Sequence, residues 1–381
     1  MNDEQSKYQP PFQWFGGKAG VADIVWAAIG SDVENYVEPF FGSGAVLMLR
    51  PSGTWERSRE TVNDFDGMVA NFWRAVRADP DSVAAWADWP VNENDLTARH
   101  LWLVNQKDSL RQRLESNPDY FDAKVAGWWV WGQCCWIGSG WCSGDGPWIS
   151  DGERLIDRRQ LPHVGDDGQG INRKLPHVGN DGRGINRQLP HVGNDGRGIN
   201  RQRPHVSDDG QGIGQCEAYS AFIRDHVRTL ADRLRRVRVC CGDWSRVCTD
   251  SVTFQTESKN CICGVFLDPP YADTATRTKG LYAEDCLKVA HRVREWAIAN
   301  GDRPNMRIVL AGYEGEHEMP ASWRVHAYSV GGGMAGTAKT QTKAIANKHR
   351  ERLWMSPHCI DEREQAKNSL FGMAQIFGET E

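Results

Sequence analysis

Asn35-Tyr36-Val37-Glu38-Pro39-Phe40-Phe41-Gly42-Ser43-Gly44-Ala45-Val46-Leu47-Met48-Leu49 is the stretch on which the fold of this chain turns. Its first four residues read as a short strand, residues 39–44 as a glycine-bearing turn, and Ala45 onward as the start of a helix. Downstream, Glu60-Thr61-Val62-Asn63 repeats the strand signature and stops at Asp64, after which Met68, Val69, Phe72, Trp73 and Val76 recur at helical spacing. Strand, helix, strand, helix in this order predicts a parallel sheet. The glycines sit at the end of the first strand, where open α/β sheets bind ligands and where backbone must come close to them. Leu47 stands where a dinucleotide fingerprint needs its third glycine, which argues against a nicotinamide cofactor. Asp64 ends the next strand, placed either to accept hydrogen bonds from ribose hydroxyls or to cap the helix that follows.

Further along, the alternation stops and later resumes. Residues 77–150 are helical and rich in tryptophan, centred on Gly127-Trp128-Trp129-Val130-Trp131-Gly132. A tandem repeat follows over residues 161–216, with His163, His177, His191 and His205 at a constant spacing and an Asn-Asp-Gly or Asp-Asp-Gly turn in each copy. The glycine density excludes a helix there and predicts a hairpin or stacked β-arch per copy. From residue 217 an amphipathic stripe through Phe222, Val227, Leu230 and Leu234 leads into the strand Val237-Arg238-Val239-Cys240-Cys241. Further strands are expected over residues 264–267 and 307–311 with a helix over 283–300 between them, and 324–330 with 351–356 as a final antiparallel pair. The chain therefore reads as one α/β domain, residues 1–76 and 217–381, interrupted by an insertion at 77–216.

Bulk composition sets limits. With 381 residues, 40% hydrophobic and 25% charged, the chain is an ordinary globular protein, and no apolar run reaches the length of a bilayer span. The polar N-terminus lacks the marks of a secretory signal, so a cytoplasmic protein with free thiols is expected. Cys134-Cys135, Cys240-Cys241 and the Cys261/Cys263 pair have the wrong spacing for a zinc site, and no metal is expected. A net charge of −5 removes any argument from global basicity. The 17 tryptophans, crowded between Trp55 and Trp148, fit an aromatic core better than a stacking surface.

The chemistry concentrates in Val265-Phe266-Leu267-Asp268-Pro269-Pro270-Tyr271, an apolar strand that ends in an acid, two prolines and an aromatic. An exocyclic amine is a weak nucleophile because its lone pair is delocalised into the ring. A carboxylate accepting one N–H, with a proline-rigidified carbonyl accepting the other, favours the pyramidal nitrogen that attack requires. A tyrosine beside them can stack on an extruded base. Near the N-terminus, Pro11-Phe12-Gln13-Trp14-Phe15-Gly16-Gly17-Lys18 is on its own a tight turn ending in a surface lysine.

Taken together, the Pro-Phe, Trp and Gly-Gly-Lys element, then Glu-Pro-Phe with Gly-Ser-Gly, then Asp-Pro-Pro-Tyr resemble the phage-type, Dam-like adenine-N6 DNA methyltransferases, and in the same order. The resemblance implies a Rossmann-like S-adenosylmethionine-dependent sheet with an inserted helical and β-repeat target-recognition region, and double-stranded DNA as partner. It implies that Trp14, Gly17, Lys18, Glu38, Phe40, Gly42 and Gly44 shape the S-adenosylmethionine pocket, that Asp64 holds the ribose, and that Asp243 and Trp244 meet the cofactor's adenine. It implies Asp268, Pro269, Pro270 and Tyr271 as the catalytic loop acting on a flipped adenine. Asp at position 268 favours adenine, with cytosine N4 as an alternative and a catalytically silent binding module as another. In the repeats, Arg183, Arg187, Arg197 and Arg201 suit DNA contact, while the aspartate in every copy suits a tolerant duplicated surface loop. Lys339 and Lys343 follow Gly331-Gly332-Gly333 in a segment that reads equally as a loop closing on DNA or a solvated hairpin loop.

Overall fold

A computed structural model describes residues 8–12, 14, 17–136, 141–142, 148–150, 155–157, 215–253, 261–270, 281–328 and 350–361. In chain order the elements are α1 (Ala22–Ile29), β1 (Asn35–Glu38), α2 (Ala45–Met48), β2 (Arg59–Asp64), α3 (Gly67–Ala78), α4 (Pro80–Ala87), α5 (Glu93–Ser116) and α6 (Ala123–Cys135). A small hairpin, β3 (Trp148–Ser150) with β4 (Leu155–Asp157), precedes α7 (Gln215–Leu234) and β5 (Val237–Cys241). Then come β6 (Cys263–Leu267), the helix α8 (Leu281–Gly301), β7 (Met306–Tyr313), β8 (Arg324–Ala327) and β9 (Glu351–Met355). α7 begins at Gln215, so the last residues assigned above to the degenerate repeat copy are helical.

Seven strands form one mixed sheet in the order β5-β2-β1-β6-β7-β9-β8. The first five are parallel, while β9 runs antiparallel to β7 and β8 antiparallel to β9. Every residue of β1 and β6 is buried, as expected of central parallel strands covered on both faces. The antiparallel pair that the late apolar runs predict is present at the sheet edge.

On one side, α3 to α7 make a helical layer. Each helix from α3 to α6 starts on a short acceptor side chain: Asp66 accepts from Met68 N–H, Asp79 from Ser82, Asn92 from Asp95 and Asp122 from Val125. α6 packs on α3 and α4, and α4 packs on α7. The tryptophan crowding is core packing: Trp73, Trp129, Trp131 and Trp141 are buried, with Phe12 and Phe72 edge-on to Trp129 or Trp73, whereas Trp86 and Trp89 stay exposed. α1 was not anticipated, although Ala22, Val25, Trp26 and Ile29 have helical spacing and are all buried.

A buried ion network joins the chain before the helical stretch to the chain after the repeats. Glu60 on β2 accepts from Arg50 at 2.9 Å and from Arg233 of α7 at 2.6 and 2.8 Å. Arg50 also caps the Val33 and Thr54 carbonyls, and Arg233 the Leu47 carbonyl at the end of α2. Each guanidinium lies over an indole, Arg50 over Trp26 and Arg233 over Trp55.

Candidate active site

Four loops leave the carboxyl ends of adjacent parallel strands: residues 39–44 after β1, Asp64 and Phe65 after β2, Gly242-Asp243 after β5, and Asp268-Pro269-Pro270 after β6. β1 lies between β2 and β6, where the strand order reverses, and ligands of open α/β sheets bind at that edge.

The first loop is held from several sides. Gly42 has φ +49° and Gly44 φ +68°, both in the left-handed region that glycine enters without strain. Gly42 N–H donates to Asp64 Oδ2 at 2.9 Å, its carbonyl accepts from Trp73 Nε1 at 2.9 Å, and a Cβ there would lie 2.8 Å from the Trp14 indole nitrogen. At Gly44 a Cβ would meet the Phe41 ring at 2.8 Å. Asp64 Oδ1 accepts from Asp66 N–H, and it is Asp66, not Asp64, that caps α3. Burial pushes the Asp64 carboxyl up to about 7, against the lowering effect of the Gly42 N–H.

Lys18 is buried rather than the surface lysine that its local sequence suggests, and its Nζ lies 3.0 Å from Asp268 Oδ1. The tight turn before it is real, Gly17 N–H donating to Trp14 O at 3.0 Å. Tertiary packing rather than local composition drives the lysine inward, onto the acid that ends β6. Glu38 is also buried and accepts from the Tyr36 hydroxyl at 2.9 Å. Burial pushes its carboxyl well above the usual range, the Tyr36 hydroxyl opposing and the negative charges of Asp268 and Glu60 reinforcing the shift.

On the far wall, Asp243 caps a short turn through Ser245 N–H at 3.0 Å, and its other oxygen faces Arg292 at 3.9 Å. Trp244 is buried, near-parallel to Phe40 with ring centroids 6.4 Å apart and edge-on to Trp296. The structure thus brings Trp14, Gly17, Lys18, Glu38, Phe40, Gly42, Gly44, Asp64, Asp243, Trp244, Asp268, Pro269 and Pro270 to one edge of the sheet. Tyr271, Arg183, Arg187, Arg197, Arg201, Lys339 and Lys343 lie outside the described residues, as do the expected β-arches. Sequence reading missed Asn63 and Trp73, which hold the first loop. Asn is depleted in strands, so Asn63 within β2 was the available signal. Among the described residues no three His, Cys, Asp or Glu side chains are grouped to hold a metal, and no helix is long and apolar enough to cross a membrane.

A mixed α/β fold with a seven-stranded sheet, carrying acids, glycines and aromatics on adjacent strand ends beside an Asp-Pro-Pro loop, is consistent with a methyltransferase. Residues 14–117 match the model of the D12 class N6 adenine-specific DNA methyltransferase family, and that match supports adenine-N6 DNA methylation. The match starts at Trp14 and runs through α5. The chain matches no curated protein.

Proposed function

We propose that the crevice above β2, β1 and β6 binds S-adenosylmethionine and that Asp268, Pro269, Pro270 and Tyr271 act on an adenine flipped out of double-stranded DNA. The observation that carries this reading is the Lys18–Asp268 pair, which seats the N-terminal element on the catalytic loop. The residues suit a nucleoside cofactor: a carboxylate at the end of β2, glycine backbone open to close approach, and buried polar atoms at Trp244 Nε1 and Asn63 Oδ1 that have no partner among the described residues. The order of the five parallel strands supports a Rossmann-like sheet.

When bound, S-adenosylmethionine supplies an electrophilic methyl on a sulfonium sulfur. Asp268 accepts one N–H of the adenine amine and the Pro269 carbonyl the other, which frees the nitrogen lone pair for in-line attack. Lys18 holds the Asp268 carboxylate in place, and Tyr271 stacks on the flipped base. Asp64 takes the ribose hydroxyls and Asp243 the adenine amine of the cofactor. Residues 77–216 form the target-recognition region, with Arg183, Arg187, Arg197, Arg201, Lys339 and Lys343 as DNA contacts.

The test is to incubate purified protein with unmethylated DNA and labelled S-adenosylmethionine, digest the DNA and separate the methylated nucleosides. Wild type is expected to label adenine N6, and Asp268→Ala to lose at least about 10²-fold of that rate while still binding cofactor. Equal labelling in both, or label on cytosine N4, overturns the assignment of the loop.

A further inference from the structure

Asn63 does something in this site that none of the motif residues does. It is 1% exposed, at the end of β2, between β1 and β5. Its side-chain Nδ2 donates to Pro39 O at 3.1 Å on one side and to Gly242 O at 3.0 Å on the other. Its backbone carbonyl accepts from Phe41 N–H at 3.0 Å. Both amide hydrogens of one side chain therefore tie together the two loops that carry Phe40 with Gly42 and Asp243 with Trp244.

The consequence follows from peptide geometry. In a planar trans peptide the C=O and N–H point in opposite directions. With the Pro39 and Gly242 carbonyls both turned toward Asn63, the N–H groups of Phe40 and Asp243 in those same peptides turn away from it. Neither has a hydrogen-bond partner among the described residues. We infer that Asn63 is a positioning residue that aims the Phe40 and Asp243 N–H groups into the crevice as paired donors for acceptor atoms of the cofactor. This rests on the reading of the crevice as the S-adenosylmethionine site.

Thr61 provides the control. It lies on the same strand, is 2% exposed, and its buried hydroxyl has no hydrogen-bond partner among the described residues, so it bonds to neither loop. Calorimetric titration of the full chain with S-adenosylmethionine and S-adenosylhomocysteine would compare wild type, Asn63→Leu, Asn63→Ser and Thr61→Val. Leu keeps the branched outline and removes both donors, while the smaller Ser avoids overpacking if Leu does not fold. Both Asn63 variants are expected to raise Kd about tenfold or more, with kcat at saturating cofactor within about threefold of wild type and Thr61→Val within about twofold in Kd. Wild-type Kd in a folded Asn63 variant overturns the inference. So does a fall in kcat at unchanged Kd, and so does failure of both variants to fold, which would make Asn63 a core residue only. If wild type itself binds neither ligand, the cofactor assignment is what fails.

Discussion

Asp64 carries its charge under opposing constraints. Backbone N–H groups of Gly42 and Asp66 favour the carboxylate, yet burial outweighs them and pushes the group from 3.8 to about 7. With the folded value raised, the protonated acid contributes stability in full below about 3.8, and that contribution is lost as pH climbs through about 7. Ligand hydroxyls donating to the carboxylate favour the charged form, so binding expels the proton. Cofactor affinity should therefore rise from about pH 5.5 to about pH 8, with proton release visible as a buffer-dependent binding enthalpy. Asp64→Asn should flatten that profile, and a wild-type affinity indifferent to pH over the range would count against the ribose role. The position of Asp64 was legible because a strand ends there. The burial of Lys18 was not, because its partner Asp268 comes from the far end of the chain.

At the element scale, α2 is only four residues long and starts from Gly44 in the left-handed region. Gly44→Ala combines backbone strain of roughly 1–2 kcal/mol with a collision against Phe41 and Trp73. Gly53 has φ +80° with nothing near its would-be Cβ, so Gly53→Ala carries strain alone. Urea unfolding should show Gly44→Ala costing about 1–3 kcal/mol more than Gly53→Ala, and only the former should weaken cofactor binding. Equal costs would mean the loop yields to the added methyl. Helices start on Asp66, Asp79, Asn92 and Asp122, residue types that favour caps, although the sequence reading placed the first cap at Asp64 and named none of the other three. α1 was missed: Ala22, Val25, Trp26 and Ile29 have helical spacing, but its eight residues lie between the two glycine motifs. The β-arches expected of the repeat lie outside the described residues.

For the whole molecule, Glu60 with Arg50 and Arg233 joins β2, the end of α2 and α7. Arg233→Met leaves Glu60 buried with one cation fewer and should lower stability by about 3 kcal/mol. Arg228 with Asp81 is the comparison, a bidentate pair more than half exposed. Arg228→Ala should cost no more than about 0.5 kcal/mol. Unfolding followed by tryptophan fluorescence distinguishes the two, and equal losses would mean the buried triad does not join the segments. α4, α5 and α6 pack on α3, and α4 also on α7, so the helical part of residues 77–216 is continuous with the layer that covers the sheet. The family match, which runs to residue 117, includes α4 and α5.

Within the sequence itself lay the strand ends, the parallel character of the first strands, the order of the motifs and the place of Asp268-Pro269-Pro270 at the end of a strand. Periodicity, turn residues and caps act over a few positions, so a few positions suffice to read them. Only the tertiary structure decided that β1 lies between β2 and β6, that Lys18 meets Asp268, and that Asn63 bridges Pro39 and Gly242. Those contacts join residues far apart in the chain. They form because burying the whole sheet and its helical layer offsets the entropy of closing the loops between them, a balance that no single stretch of residues contains.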